Sequence, residues 1–200
     1  MSHVFVSGNL ALDFLGTLKW RRSKPEELLN SPEDLDRWVL ESAVLSSFTG
    51  CDEESLIRMK ELREVIYRLA SARVSGLEWD RADISQLNQI ANSGFPQIVF
   101  TESGLEQLGD VESVAGSVAR SGIDLLASAE VEFMKECKRE ACTRIFVDRS
   151  RSKNRHWCGM DECGNRIKAA NYRSRHQITK RRQDPIVSAR AVEAELSLPR

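Results

Sequence analysis

Two hundred residues exceed the usual size of one compact domain and suit one domain plus a small appended module. With 41% hydrophobic and 30% charged residues, the composition is ordinary for a globular chain, and no run of eighteen apolar residues exists, which excludes a transmembrane helix. The net charge of −1 conceals a polarised distribution: residues 137–182 hold 14 Lys and Arg against 4 Asp and Glu, a balance of +10, while the remainder holds 15 against 26, a balance of −11. A local excess of that size implies a polyanionic partner rather than a general solubility device.

The first fifteen residues have no basic n-region followed by a continuous apolar stretch, so a secretory signal is not expected. Five cysteines, an odd number, fit reduced thiols in the cytoplasm better than a disulfide framework. Leu12, Leu15 and Leu18 are compatible with one buried helical stripe. Asp13 stands alone among Leu12, Phe14 and Leu15; the solvent face of that helix is its first reading, with a buried Arg partner or a ligand pocket as alternatives.

Ser31-Pro32-Glu33-Asp34 reads as a helix start, with Ser31 as N-cap, Pro32 in the first turn and acids at the positive end. That helix is expected to run to about residue 47 with Leu35, Trp38, Val39 and Ala43 on one face. Asp52 caps a second helix whose apolar spacing holds from Leu56 to Ala70 until Gly76 stops it. A third begins near Asp80 and ends at Asn92-Ser93-Gly94. The period then changes, and residues 96–101 look like a strand whose partner is either 105–108 or 4–6. A long helix from about 110 to 135 follows, its stripe rich in small residues that permit close packing. Without a Pro/Gly-rich linker before Cys137, that helix is expected to run straight into the next module. Cys51 reads as a small apolar residue near a helix start.

Cys137-x4-Cys142 and Cys158-x4-Cys163 are two pairs of identical internal spacing, fifteen residues apart. Four thiolates in two short knuckles close a tetrahedral zinc shell, which lets a segment too small to bury its own core hold one shape. His156 and His176 are competing fourth ligands that the symmetrical set does not need. Between the pairs, 144–148 reads as a strand, 149–155 as a basic turn, and His156-Trp157 as a returning strand. Gly164 lets the backbone turn close to sulfur, and Asn165 is a plausible N-cap for a helix reaching about residue 182. Arg166, Arg173 and Lys180 repeat at seven, as do Lys168, Arg175 and Arg182; these read as two adjacent basic ridges opposite Ile167, Ala170 and Ile178. Such a helix suits phosphate neutralisation and arginine contacts to guanine in a major groove. Few stacking aromatics accompany the basic residues, so duplex DNA is favoured over RNA.

Trp157-Cys158 through Cys163-Gly164-Asn165-Arg166, with Tyr172-Arg173-Ser174-Arg175 beyond and Phe146-Val147-Asp148-Arg149-Ser150 upstream, resembles the CGNR zinc finger. In that family the finger follows an N-terminal ABATE domain, to which Ala11-Leu12-Asp13-Phe14, Thr17 and Leu87-Asn88 are similar. This chain has Gly16-Thr17 where the family usually shows Asn-Thr. The resemblance implies a bacterial transcription regulator that binds DNA. The expected fold is mainly α with a small β component: a helical domain over 1–135, a zinc finger over 136–182 ending in a basic helix, and a tail over 183–200.

The candidate sites are a structural zinc on Cys137, Cys142, Cys158 and Cys163, and nucleic-acid contacts through Asn165, Arg166, Lys168, Arg173 and Arg175. No catalytic set, Gly-rich phosphate loop or HExxH is found, so an enzyme is not expected. By analogy with other regulators, the N-terminal domain is a reasonable sensor of a small molecule. The expected location is the cytoplasm, on the nucleoid; a homodimer is compatible with a short site. The competing reading is a zinc-stabilised module that docks on acidic proteins.

Overall fold

The computed structural model describes residues 3–170 and 172–173. The chain divides into two compact units, the first spanning Met1–Cys158 and the second beginning at Gly159. The architecture is α+β.

In the first unit α1 (Leu10–Leu15) starts at Asn9, whose side chain accepts the Leu12 amide. It is sheathed by later helices, so Ala11, Leu12, Asp13, Phe14 and Leu15 are all buried and there is no solvent face. Asp13 therefore does not face water as first read. Its carboxylate accepts the Ser7 amide at 2.8 Å and lies 4.0 Å from the Arg144 guanidinium, itself buried. Leu18 leaves the helical stripe for β1 (Leu18–Lys19), which pairs with β2 (Glu26–Glu27).

α2 (Pro32–Glu41) begins with the Asp34 side chain accepting the Asn30 and Ser31 amides. It ends earlier than the spacing suggested, because Ala43 turns to a φ of 56° that no helix tolerates. β3 (Ser47–Phe48) follows. α3 (Glu53–Ser75) runs from its Asp52 cap to Gly76, which closes it at a φ of 67°. α4 (Arg81–Ala91) is capped by Asp80.

β4 (Gln97–Thr101) folds back on β5 (Gly104–Gly109), settling its partner as the downstream segment. β5 also pairs in parallel with β3. α5 (Val111–Ala127) packs on α1, α3 and α4, with Val114, Val118, Ala119 and Leu125 in the core. The small residues on this helix do bring backbones together: a Cβ built on Gly116 runs into the carbonyl oxygen of Gly94. Gly116→Ala is therefore expected to destabilise by about 1–2 kcal/mol, overpacking outweighing the better helix propensity of Ala. A raised melting temperature would contradict this close approach.

α5 does not run into the cysteine module. It stops at Ser128, whose backbone is extended and whose hydroxyl accepts the Glu130 amide. One 3-10 turn, Ala129–Phe133, then leads to β6 (Met134–Glu136), which pairs antiparallel with β7 (Ile145–Val147). The break has a tertiary cause: β7 is wholly buried and needs an antiparallel partner, which a continuing helix could not supply.

Candidate metal centre

Cys137 follows directly on β6, its amide donating to the Arg144 carbonyl at 3.0 Å. The chain then turns tightly, the Cys142 amide reaching the Arg139 carbonyl at 2.7 Å. No strand returns through His156-Trp157; one bond, from the Lys138 amide to the His156 carbonyl at 2.9 Å, sets the first knuckle beside the approach to Cys158. The four sulfur atoms of Cys137, Cys142, Cys158 and Cys163 lie within 4.8 Å of one another, and all four residues are buried. Cys142 and Cys158 are 3.8 Å apart at sulfur.

That spacing tests the fit. Zinc–sulfur bonds of about 2.3 Å in a tetrahedron put neighbouring sulfurs about 3.8 Å apart, whereas a disulfide needs about 2.05 Å. The cluster is a zinc site of four thiolates. His156 is exposed and outside this group, and His176 lies outside the described residues. Because protein fills every tetrahedral position, the ion's work is structural.

Two residues with no role assigned from the sequence hold the scaffold around the site. Asp148 is wholly buried at the end of β7. Its carboxylate accepts from Lys135 Nζ at 2.7 Å, the Ser150 hydroxyl at 2.6 Å, the Ser150 amide at 3.0 Å and the Arg155 amide at 2.8 Å. Burial alone would push this carboxyl up, but the donors from Lys135, Ser150 and Arg155 outweigh it and hold it well below the usual carboxylate range. Arg155 stacks over the Phe146 ring at 4.4 Å and donates to the carbonyls of Trp157, Val6 and Cys158. It ties the chain entering the second cysteine pair to the N-terminal segment. An acid closing an apolar strand, Ile145-Phe146-Val147-Asp148, was the available signal.

In the second unit the turn begins before Asn165. Met160–Gly164 is a π-helical turn with Cys163 and Gly164 donating to the Gly159 carbonyl at 3.1 and 3.0 Å. Asn165 is thus inside the helix, at φ −67° and ψ −36°, and its side chain donates to Asp161 at 3.2 Å instead of capping. Residues 165–170 and 172–173 are helical, with Arg166, Lys168, Tyr172 and Arg173 exposed and Ile167 and Ala170 half-buried. At about 100° per residue, Lys168 stands some 160° from Arg166 around the axis, so the basic positions flank an exposed strip of Asn165, Ala169 and Tyr172 rather than adjoining. Arg175, Lys180 and Arg182, and the helix continuation to residue 182, lie outside the described residues.

Cys51, the fifth cysteine, is half-buried and its thiol is pushed up to about 12 by burial and by Asp36, which leaves it inert as a nucleophile or ligand. Among the described residues no helix is long and apolar enough to cross a membrane.

Two family models match the chain. One, ABATE, described as "Putative stress-induced transcription regulator", covers residues 8–129, and the CGNR zinc finger covers residues 134–176. Comparison with curated proteins gives no match. Neither family is an enzyme family, and both agree with a metal-stabilised finger behind a larger helical domain. The chain belongs to the ABATE family and carries a CGNR zinc finger on its C-terminal side.

Proposed function

We propose that this protein is a cytoplasmic, nucleoid-associated transcription regulator that binds duplex DNA through its C-terminal module. Residues 1–135 would act as the regulatory part, 136–182 as the contact part and 183–200 as a tail. The carrying observation is a four-thiolate zinc site followed at once by a helix exposing Arg166, Lys168 and Arg173, within a segment of charge +10. Zinc held by Cys137, Cys142, Cys158 and Cys163 fixes the start of that helix. Arginine and lysine would then neutralise phosphates, and Asn165, central in the exposed strip, would reach a base edge or a phosphate. Arg175 would extend the same surface.

Salt dependence tests the reading. Neutralising four to six phosphates makes log K fall with log salt at a slope of about −4 to −5, and Arg166→Ala with Arg173→Ala should flatten it by about two. A slope near zero sinks the DNA reading. Tighter binding to an acidic polypeptide than to duplex DNA would instead favour a protein-docking module.

For the regulatory part, the support is a cleft between helices. An apolar cleft of about 150 Å³ lies among α3, α4 and α5, lined by Leu69, Trp79, Ile84, Leu87, Ile123 and Leu126. It suits a small apolar effector, well below drug size.

A further inference from the structure

The outer edge of the three-stranded sheet carries a second binding surface. Strand order is β3-β5-β4, so among the described residues β4 has one free side. Gln107 turns its carbonyl to the Ser46 amide and its amide to the Ser46 hydroxyl, both on the β3 side. Neighbouring residues alternate in direction, so Glu106 and Leu108 bond to their β4 partners Val99 and Gln97. The amides and carbonyls of Ile98 and Phe100 therefore point away from the sheet.

Monomeric proteins guard such edges with lysine, bulges or brevity. β4 has none of these guards: Gln-Ile-Val-Phe-Thr contains no charge and pairs with β5 over all five residues without a bulge. One face of the hairpin is also apolar and open. Ile98 is 71% exposed, Phe100 87% and Leu105 61%, with Leu105 directly opposite Phe100.

We propose that this edge is a two-fold interface between two copies of the chain, β4 pairing antiparallel with its counterpart about Val99. The strand is self-complementary in that register. Ile98 falls opposite Phe100 of the partner subunit, and Phe100 opposite Ile98 of the partner subunit. These are the residues whose backbone groups are directed outward, and β-branched against aromatic is a favourable cross-strand pair. Gln97 then meets Thr101 of the partner subunit, so polar ends close an apolar centre. Pro96, whose absent N–H would have pointed to the same edge, ends the pairing. The three exposed side chains offer roughly 400 Å² of apolar surface per copy. Edge pairing brings Ile98 and Phe100 of the two copies together while Leu105, one strand further in, stays open. The contact therefore lies below the lower end of specific interfaces, about 1,200 Å², and fits a weak dimer that forms at micromolar concentration.

Light scattering and sedimentation of the full-length zinc protein, from low to high micromolar, should give twice the chain mass. Phe100→Glu and Ile98→Lys, at exposed positions that leave the monomer's core untouched, should each raise the dimer dissociation constant about tenfold or more, with helical circular dichroism unchanged. Hydrogen exchange on the unmodified protein reads the same register: Ile98 and Phe100 amides protected when concentrated and released on dilution. A monomer at every concentration overturns the proposal, even if a strand from another protein captures the edge. A dimer that survives both substitutions and leaves these amides unprotected overturns it equally.

Discussion

Removing zinc, or replacing Cys158 by Ser, is expected to unfold the C-terminal module while α3 and α5 stay helical. The protein purified without chelator should carry about one zinc per chain. Four thiolates within 4.8 Å of one another repel unless a cation sits among them, and the knuckles have little apolar area of their own to hold their shape without it. Structural zinc in such small modules contributes about 10–16 kcal/mol of apparent binding free energy, and most of it is folding free energy. The helical domain needs no such help. Trp38, Phe14, Leu35, Leu62, Ile66 and Val118 lie in one core that also takes in Met134, Ile145 and Val147 of β6 and β7 but none of the four ligand cysteines. Hydrogen exchange should therefore accelerate at the Cys137, Cys142 and Cys163 amides in the apo form, with α3 and α5 protected. The DNA binding proposed above should be lost together with the metal. Cobalt substitution checks the ligand set, because four thiolates in a tetrahedron give intense visible bands. Absence of those bands, or apo protein with unchanged exchange, would end the structural-zinc account.

What could be seen in the sequence was what is local. α3 announces itself because Asp52 accepts the Ser55 amide at one end and Gly76 adopts the left-handed turn at the other, and both depend only on neighbours. The metal set is local in the same sense: two pairs at matched spacing describe the site without knowledge of the fold. Sequence misleads where distant partners decide. Residues 129–136 have helical spacing, yet β7 requires a strand and the helix gives way at Ser128. Asp13 looked solvent-facing because one helix shows only its own two faces, whereas α3, α5 and β7 together enclose α1. Asn165 looked like a cap because the π-helical turn that begins at Met160 has no recognisable start signal. The parallel pairing of two residues in β3 with β5 is invisible at any window length.

Asp148→Asn should destabilise the first unit by about 2–4 kcal/mol, and it separates two buried carboxylates that look alike in the sequence. The amide keeps one acceptor oxygen but turns an NH2 toward donors, and it leaves Lys135 facing a neutral partner. In a unit of this size that is a fall of roughly 5–15 °C in melting temperature. Asp13 is the opposite case. Burial pushes its carboxyl up, and the Ser7 amide and Arg144 offset this only in part. The two therefore act with opposite sign against pH. Asp148, depressed in the folded state, contributes stability that is present above the unfolded value of about 3.9 and lost as pH falls toward its folded value. Asp13, raised in the folded state, favours folding below about pH 4 and costs stability as pH rises through its folded value. Chemical denaturation at several pH values should thus show the gap between wild type and Asp148→Asn constant from about pH 5 upward. Asp13→Asn should instead gain on wild type as pH rises from about 4, then level off once the folded carboxyl has ionised. A gap for Asp148→Asn under about 0.5 kcal/mol would mean that its four donors find other acceptors. The strut between β6, β7 and the second cysteine pair would then rest on Arg155 alone.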